Sequence, residues 1–328
     1  MRKGFERMIM AASDLKDLSV AVLTGGWSDE REISISSGES CAAALKEAGF
    51  TKVDMLDIAE EGFVGKLTAG GYDVAFVALH GPYGEDGCIQ GLLEILHMPY
   101  TFSGVLASAV GTEKEVAKGV YRAAGIPTPE GIVLDKYAVP SEEGLDDIVA
   151  ELGLPLFVKP AANGSSYGVT KVTGRDQLKD AIIAAHTGDT RVLIEQCIDG
   201  IEITVPVIGN SDPEALPIIE INTGAEFYDL KVKYEPSELH HVIPARMSEE
   251  TYKQASKDAV AAHKALGCKG CSRSDFIVTA DGVPVILETN TIPGMTSTSL
   301  LPDSARHAGI SFPELCTRFI ELALEESA

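Results

Sequence analysis

Apolar residues along this 328-residue chain follow two periodicities. Near the start, LSVAVL (18–23), VDMLD (53–57) and YDVAFVALH (72–80) are short apolar runs. Positions 34–48 instead repeat with helical spacing and stop at Gly49. Strands interleaved with helices predict a parallel α/β sheet whose ligands approach the C-terminal ends of the strands. Two loops fall there, GGWSDERE (25–32) and GPYGEDG (81–87). A helix over 88–97 follows, and PYTFSG (99–104) breaks the run. Helical spacing returns from 105 to about 125, where the two prolines of IPTPEG end it. LPLFVKP (154–160), VTKV (169–172) and VLIEQC (192–197) predict strands around a helix over 176–185, a small α+β unit.

After Gly200, IEITVPVIG and LPIIEI predict further strands. The stretch 222–244 is charged and aperiodic, and a loop that long in a compact chain is usually functional or disordered. Ser248 is placed as a helix N-cap, followed by an apolar stripe of Ala255, Ala259, Ala262 and Leu266, with Gly267 closing the helix. The segment RSDFIVTADGVPVILETNTIPGMTSTSL then predicts a hairpin with Asp281-Gly282 as a two-residue type I′ turn. That turn sets Ala280 opposite Val283, Asp275 opposite Glu288 and Arg273 opposite Asn290. Alternation places the last four on one face. Facing carboxylates repel unless a cation lies between them, and hard oxygen donors suit Mg²⁺, which takes one or two carboxylates plus substrate phosphates. A solvated surface hairpin is the plain alternative, opposed by the apolar Phe276, Ile277, Val278, Val285, Ile286 and Leu287. A last helix is expected over about 313–324. Boundaries at 104 and 198 divide the chain into a tail (1–17) and units of 18–104, 105–197 and 198–328.

Composition narrows the chemistry. Hydrophobic residues at 45% suffice for two or three cores. The net charge of −22 argues against a nucleic-acid partner. No apolar run approaches the roughly 20 residues that span a bilayer. Glu6, Asp14 and Asp17 interrupt the N-terminal segment where a signal peptide has its apolar core, so the cytoplasm is expected. Of six cysteines only Cys268 and Cys271 are close together, and they are expected to be ordinary buried thiols. An anionic substrate must therefore meet isolated cations or a metal. Lys159 precedes PAANGSSYG (160–168), whose small residues and hydroxyls suit either a flap over phosphate or an ordinary hairpin loop, and no Gly-Lys-Ser/Thr ending makes it a P-loop. Spacing alone favours plain roles for Glu30, as an acid at a helix N-terminus, and for His80, as a hydrogen-bonded structural histidine.

GGWSDERE, LHGPYGEDGCIQGLLE, PYTFSGVLASA, VKPAANGSSYG, LIEQCIDGIEIT, Lys233-Tyr234, CSRSDF and LETNTIPGMTSTSL, in this order from Val20 onward, resemble the D-alanine–D-alanine ligase family of the ATP-grasp superfamily. The resemblance implies a three-domain ATP-grasp architecture: an N-terminal parallel α/β domain, a small central α+β domain and a C-terminal α+β domain. It implies ATP-dependent joining of two D-alanines through a D-alanyl phosphate for peptidoglycan synthesis, with ATP, two Mg²⁺ ions that Mn²⁺ can replace, and a homodimer. By position, Lys114, Lys159 and Ser166 match ATP phosphate contacts. Glu195 and Ile198 match backbone contacts to adenine, and Glu202 matches the ribose partner. Asp275, Glu288 and Asn290 match the metal ligands. Glu30 matches the holder of the first D-alanine's ammonium, which reverses its plain reading, and Ser165 and Tyr234 match orienting groups. Arg273 and the Gly294 N–H match the oxyanion site. Lys233, Ser299 and Leu300 match the phosphate and second-substrate region, and His80 and Glu85 the substrate-side loop.

Asn163, Tyr167, Phe102 and Ser272 depart from the family pattern. Tyr234 favours an amine over the hydroxyl of D-lactate at the second site. D-Serine, another ATP-grasp carboxylate–amine pair, and a nucleotide-binding regulatory protein with a decayed site stand as alternatives.

Overall fold

A computed structural model describes residues 15–162, 168–222, 241–296 and 298–325. The N-terminal sheet is parallel, ordered β2 (Lys52–Asp57), β1 (Ser19–Thr24), β3 (Val74–Val77). β1 and β3 are almost wholly buried, as strands covered on both faces require. Helix α1 (Arg31–Glu47) starts a few residues earlier than its periodicity suggested, because Glu30 occupies the N-cap, yet its side chain makes no capping bond. The short α2 (Phe63–Ala69) was not foreseen, and α3 (Cys88–Ile95) matches its expected span.

The helix expected over 105–125 is two helices, α4 (Val105–Thr112) and α5 (Lys114–Ala123). Glu113 between them takes extended backbone angles. The break makes Lys114 the first residue of a helix, and its N–H is donated to the Ala161 carbonyl at 3.2 Å. Although sequence grouped 105–123 with the central segment, Ala107, Ala117 and Tyr121 share their buried cluster with the C-terminal sheet.

The central unit is a four-stranded sheet ordered β4 (Gly131–Leu134), β7 (Val192–Gln196), β5 (Leu156–Pro160), β6 (Thr170–Val172). Helices α6 (Glu142–Leu152) and α7 (Leu178–Ala185) close its core of Leu145, Leu156, Val158, Ile182 and Ile194. β4 and α6 were missed, although Ser141 with Glu142 and Glu143 is an N-cap signature, and its hydroxyl does accept from the Gly144 N–H.

The C-terminal sheet has six strands: β11 (His241–Val242), β10 (Ile219–Ile221), β8 (Ile201–Ile208), β12 (Cys271–Val278) and β13 (Pro284–Asn290) in that order, with β9 (Glu214–Ala215) beside β8. Helix α8 (Glu249–Leu266) packs on its back, capped by Ser248 and ended by Gly267 at φ 74° as expected. Cys268 and Cys271 are free and buried. Helices α9 (Leu300–His307) and α10 (Phe312–Glu325) return to the N-terminal core, where Phe319 packs against Phe76 and Phe102. Phe102 sits at φ 74°, so it retains the left-handed backbone that glycine favours at this turn, and its ring joins that aromatic cluster.

The hairpin corrects the expected turn. Thr279, not Ala280, faces Val283: the Thr279 N–H is donated to the Val283 carbonyl at 3.0 Å. The loop is therefore Ala280-Asp281-Gly282, with Gly282 at φ 80°. Phe276 consequently pairs with Ile286, one position off the expected ladder. A bulge between Asp275 and Phe276 then leaves Leu287 as the extra residue and restores the pairs Asp275–Glu288 and Arg273–Asn290. Two departures cancel at the site.

Candidate active site

Register places Glu202 opposite Ile277 and Thr204 opposite Asp275, so the face of the C-terminal sheet bearing Arg273 and Asp275 also carries Glu202 and Thr204. Its acids are already paired. Arg273 donates to Asp275 through Nε (3.1 Å) and Nη2 (2.9 Å), a bidentate geometry that fixes both side chains. Asn290 Nδ2 lies 3.4 Å from Asp275 Oδ2, and the Thr204 hydroxyl donates to Asp275 Oδ1. Lys114 Nζ contacts Glu288 Oε2 at 2.5 Å. Burial pulls the Lys114 ammonium down, but Glu288, Glu195 and Asp275 outweigh it and hold its pKa above the ordinary value. Among the described residues no group of three or more His, Cys, Asp or Glu side chains gathers as a metal cage. Two carboxylates and an amide on one face instead form the open, oxygen-rich donor set that Mg²⁺ accepts when phosphates complete it.

A second charge cluster adjoins this face through Lys114, whose ammonium also feels Glu195. Glu195, only 2% exposed on β7, is held by Lys159 at Oε1 and by Lys118 at Oε2, the latter at 3.0 Å. Burial alone would raise its carboxyl pKa, yet Lys159 and Lys118 hold it below the ordinary range. Lys118, 1% exposed, also donates to Thr128 Oγ1 and to the Leu287 carbonyl, each at 3.2 Å. That carbonyl belongs to the bulged residue. Burial lowers the Lys118 pKa to about 8, with Lys159 and Lys114 adding to the fall against the opposing pull of Glu195. Glu195 was expected to act through its backbone, and its side chain proves to be the centre of a lysine cluster. Ile198 is half-buried in the connection leading to β8.

The substrate-side loops converge at the ends of β1 and β3. The Glu85 carboxylate accepts from the Gly81 N–H at 2.9 Å and lies 3.7 Å from His80 Nδ1. His80 is buried, with Ser37 Oγ 3.1 Å from Nε2 and its own carbonyl accepting from Ser28 Oγ. Gly81 has φ 74°, and a Cβ there would come within 3.2 Å of Glu30 Oε2 and 2.9 Å of Ser28 Cβ. Glu30 and Glu85 therefore flank one glycine. Arg31 pairs with Asp57, and Asp57 accepts from the Gly26 N–H, which secures the turn before Glu30.

A cavity of about 200 Å³, lined by Gly81, Glu85, Lys114, Ala162, Glu288 and Asn290, joins these loops to the acidic face. Beyond β13, Ser299 accepts from the Thr296 N–H at 3.0 Å, and a Cβ on Gly294 would lie 2.9 Å from Ser299 Oγ. Gly294 and Ser299 are thus adjacent, with Leu300 opening α9. A larger cavity of about 290 Å³ lies between the end of α3, Lys269 and the end of α10, and none of these residues lines it. Ser165, Ser166, Lys233, Tyr234, Asn163 and Tyr167 lie outside the described residues. Lys118 and Thr204 were missed by sequence reasoning. Lys118 had a signal, since positions 114, 117, 118 and 121 form one helical stripe, and two lysines on a stripe shared with Ala117 and Tyr121 are not solvated charges.

Family models described as D-ala D-ala ligase N-terminus and C-terminus match residues 61–103 and 120–321. The chain is 45% identical over 312 residues to D-alanine–D-alanine ligase of Desulforamulus reducens, covering 94% of this chain and 99% of that one. It is 48% identical over 311 residues to the Syntrophobacter fumaroxidans ligase, covering 94% and 98%. Among solved structures, the Bacillus anthracis ligase complexed with ATP aligns with a TM-score of 0.79 at 34% identity, covering 94% of this chain and 98% of that one. The Coxiella burnetii ligase aligns at 0.80 and 30%, covering 95% of each. With the ATP-grasp fold, the paired acids of the hairpin and the motifs in family order, this chain belongs to the D-alanine–D-alanine ligase family.

Proposed function

We propose that the chain performs the reaction for which its family is named, joining two D-alanines at the expense of ATP through a D-alanyl phosphate, to supply peptidoglycan synthesis. The observation that carries this is the cavity in which Lys114 and Glu288 meet Gly81 and Glu85, because it sets phosphate chemistry beside an amino-acid site. A carboxylate is a poor electrophile, and phosphorylation gives it a leaving group. Glu30 holds the first substrate's ammonium, and Glu85 with His80 fixes the loop beside it. Lys114, Lys159 and Ser166 receive the phosphates of ATP, Glu195 and Ile198 the adenine, and Glu202 the ribose. Asp275, Glu288 and Asn290 hold Mg²⁺, in one or two ions, which when bound offsets charge on the transferring phosphoryl group. Arg273, fixed by Asp275, and the Gly294 N–H stabilise the oxyanion formed when the second amine attacks. Ser299 and Leu300, with Lys233, receive the second substrate's carboxylate, and Ser165 and Tyr234 orient the network that favours an amine.

The test is ADP release by purified protein with D-alanine, D-serine, D-lactate or L-alanine as substrate. D-Alanine alone should give rapid turnover and a D-alanyl-D-alanine product, whereas equal turnover of D-lactate at pH 7 refutes the assignment. We place the protein in the cytoplasm as a homodimer through its N-terminal part. Light scattering that finds only monomer at micromolar concentration refutes the dimer.

A further inference from the structure

Lys159 on β5 and Lys118 on α5 share one buried carboxylate. Their surroundings are unequal. Lys118 is tied to Thr128 Oγ1 and to the Leu287 carbonyl as well as to Glu195, and at 1% exposure it has nowhere to move. The Lys159 side chain, by contrast, is 12% exposed. A nucleotide phosphate that recruits Lys159 removes one of the two cations from Glu195. Without Lys118, only the more distant Lys114, itself paired with Glu288, would offset that buried carboxylate, a state costly enough to hold Lys159 where it is.

We infer that Lys118 is a positioning residue for nucleotide binding: it keeps Glu195 neutralised while Lys159 exchanges that carboxylate for the phosphates. This rests on the reading of Lys159 as a phosphate ligand. The exchange also relieves the repulsion between the two ammonium groups, so Lys118 binds Glu195 more firmly once Lys159 has left. The β-bulge serves the same end, since a regular ladder would engage the Leu287 carbonyl that anchors Lys118.

Calorimetric titration of the full chain with ATP and with adenosine tests the exchange. Lys118→Met should weaken ATP about tenfold or more and leave adenosine within about twofold, because only the phosphates recruit Lys159. Adding Glu195→Gln to that chain removes the stranded charge and should restore ATP affinity to within about threefold of wild type. Parallel loss of ATP and adenosine, or no restoration by Glu195→Gln, overturns the inference. If Lys118→Met does not fold, the double variant, with no buried charge there, carries the test alone: a loss of about tenfold in its ATP affinity overturns the exchange. Lys159→Met separates the two levels. Wild-type ATP affinity in Lys159→Met refutes Lys159 as a phosphate ligand and the exchange with it. Weakened ATP in Lys159→Met beside unchanged ATP in Lys118→Met refutes the exchange alone.

Discussion

The acidic face of the C-terminal sheet and the loops at the ends of β1 and β3 place charge by different means. On the sheet, register and alternation position Arg273, Asp275, Glu288 and Asn290, with Arg273 neutralising Asp275 along one strand and Lys114 of α5 neutralising Glu288. In the loops, backbone groups do the positioning: the Gly81 N–H holds Glu85, and Ser28 holds the His80 carbonyl. The sheet thus carries a compact set of coupled charges, and the loops carry separate groups that, on the proposed function, each address one part of a substrate. Substitutions on the sheet should act on the chemical step, and those in the loops on the affinity for one amino acid.

The largest effect is expected at Glu288. Glu288→Gln removes one of two carboxylates on the proposed metal face and should lower ADP formation by about 10²-fold or more, with a near-normal melting temperature. Normal turnover at ordinary Mg²⁺ would break the comparison at its strongest point. Glu30→Gln should raise KM for D-alanine by roughly 10–100-fold, the worth of a charge-assisted hydrogen bond, and leave KM for ATP alone. A fall in kcat with no change in either KM would place Glu30 with the sheet residues. Gly81→Ala forces a Cβ onto Ser28 at a positive φ, so a stability loss of about 1–3 kcal/mol and a KM increase for D-alanine of about tenfold are expected. Melting curves and initial rates check both parts.

An effect of a different kind is expected on pH dependence, at the back of the sheet. His263 is buried, with Nε2 donating to the Gly209 carbonyl and Nδ1 accepting from Ser272, the residue that stands where the family pattern has glycine. Burial lowers its pKa to about 4 from an ordinary 6.5. The unfolded chain therefore takes up a proton near pH 6.5 that the folded chain refuses until about pH 4. Stability from this group is intact above 6.5 and drains as pH falls toward 4, by roughly 3 kcal/mol in full. Urea unfolding at pH 7 and pH 4.5 should show that loss in the wild type and a smaller one in His263→Gln. Equal losses in both would remove His263 as the cause.

Legibility in the sequence followed the same division. The partners of Asp275 and Arg273 were readable because strand alternation is strict, even though the turn was assigned one residue too short and a bulge offset it. Glu30 was not readable from spacing, since an acid at a helix N-terminus has an ordinary explanation, and only the family resemblance gave it a role. The break at Glu113 was missed because Gly111, two residues before it, lies inside α4 and not at the break itself. Lys118 was overlooked as one more charge on a helix, although its stripe is buried. The departure at Phe102 proved conservative, since the ring packs while the backbone keeps the angle of a glycine.

The hairpin's two irregularities make the site indifferent to an error at its tip. Had the tip folded with the two-residue turn, Phe276 would face Leu287 instead of Ile286, yet Asp275 would still face Glu288. A register slip that ordinarily turns a whole strand inside out would here be confined to the outer half of the hairpin. What such a slip would cost is local: the burial of Ile286, and the Leu287 carbonyl on which Lys118 rests. Mutations in the turn can therefore drift without disturbing the pairing of the acids, while the anchor of a lysine on the neighbouring helix records which of the two frames the chain has chosen.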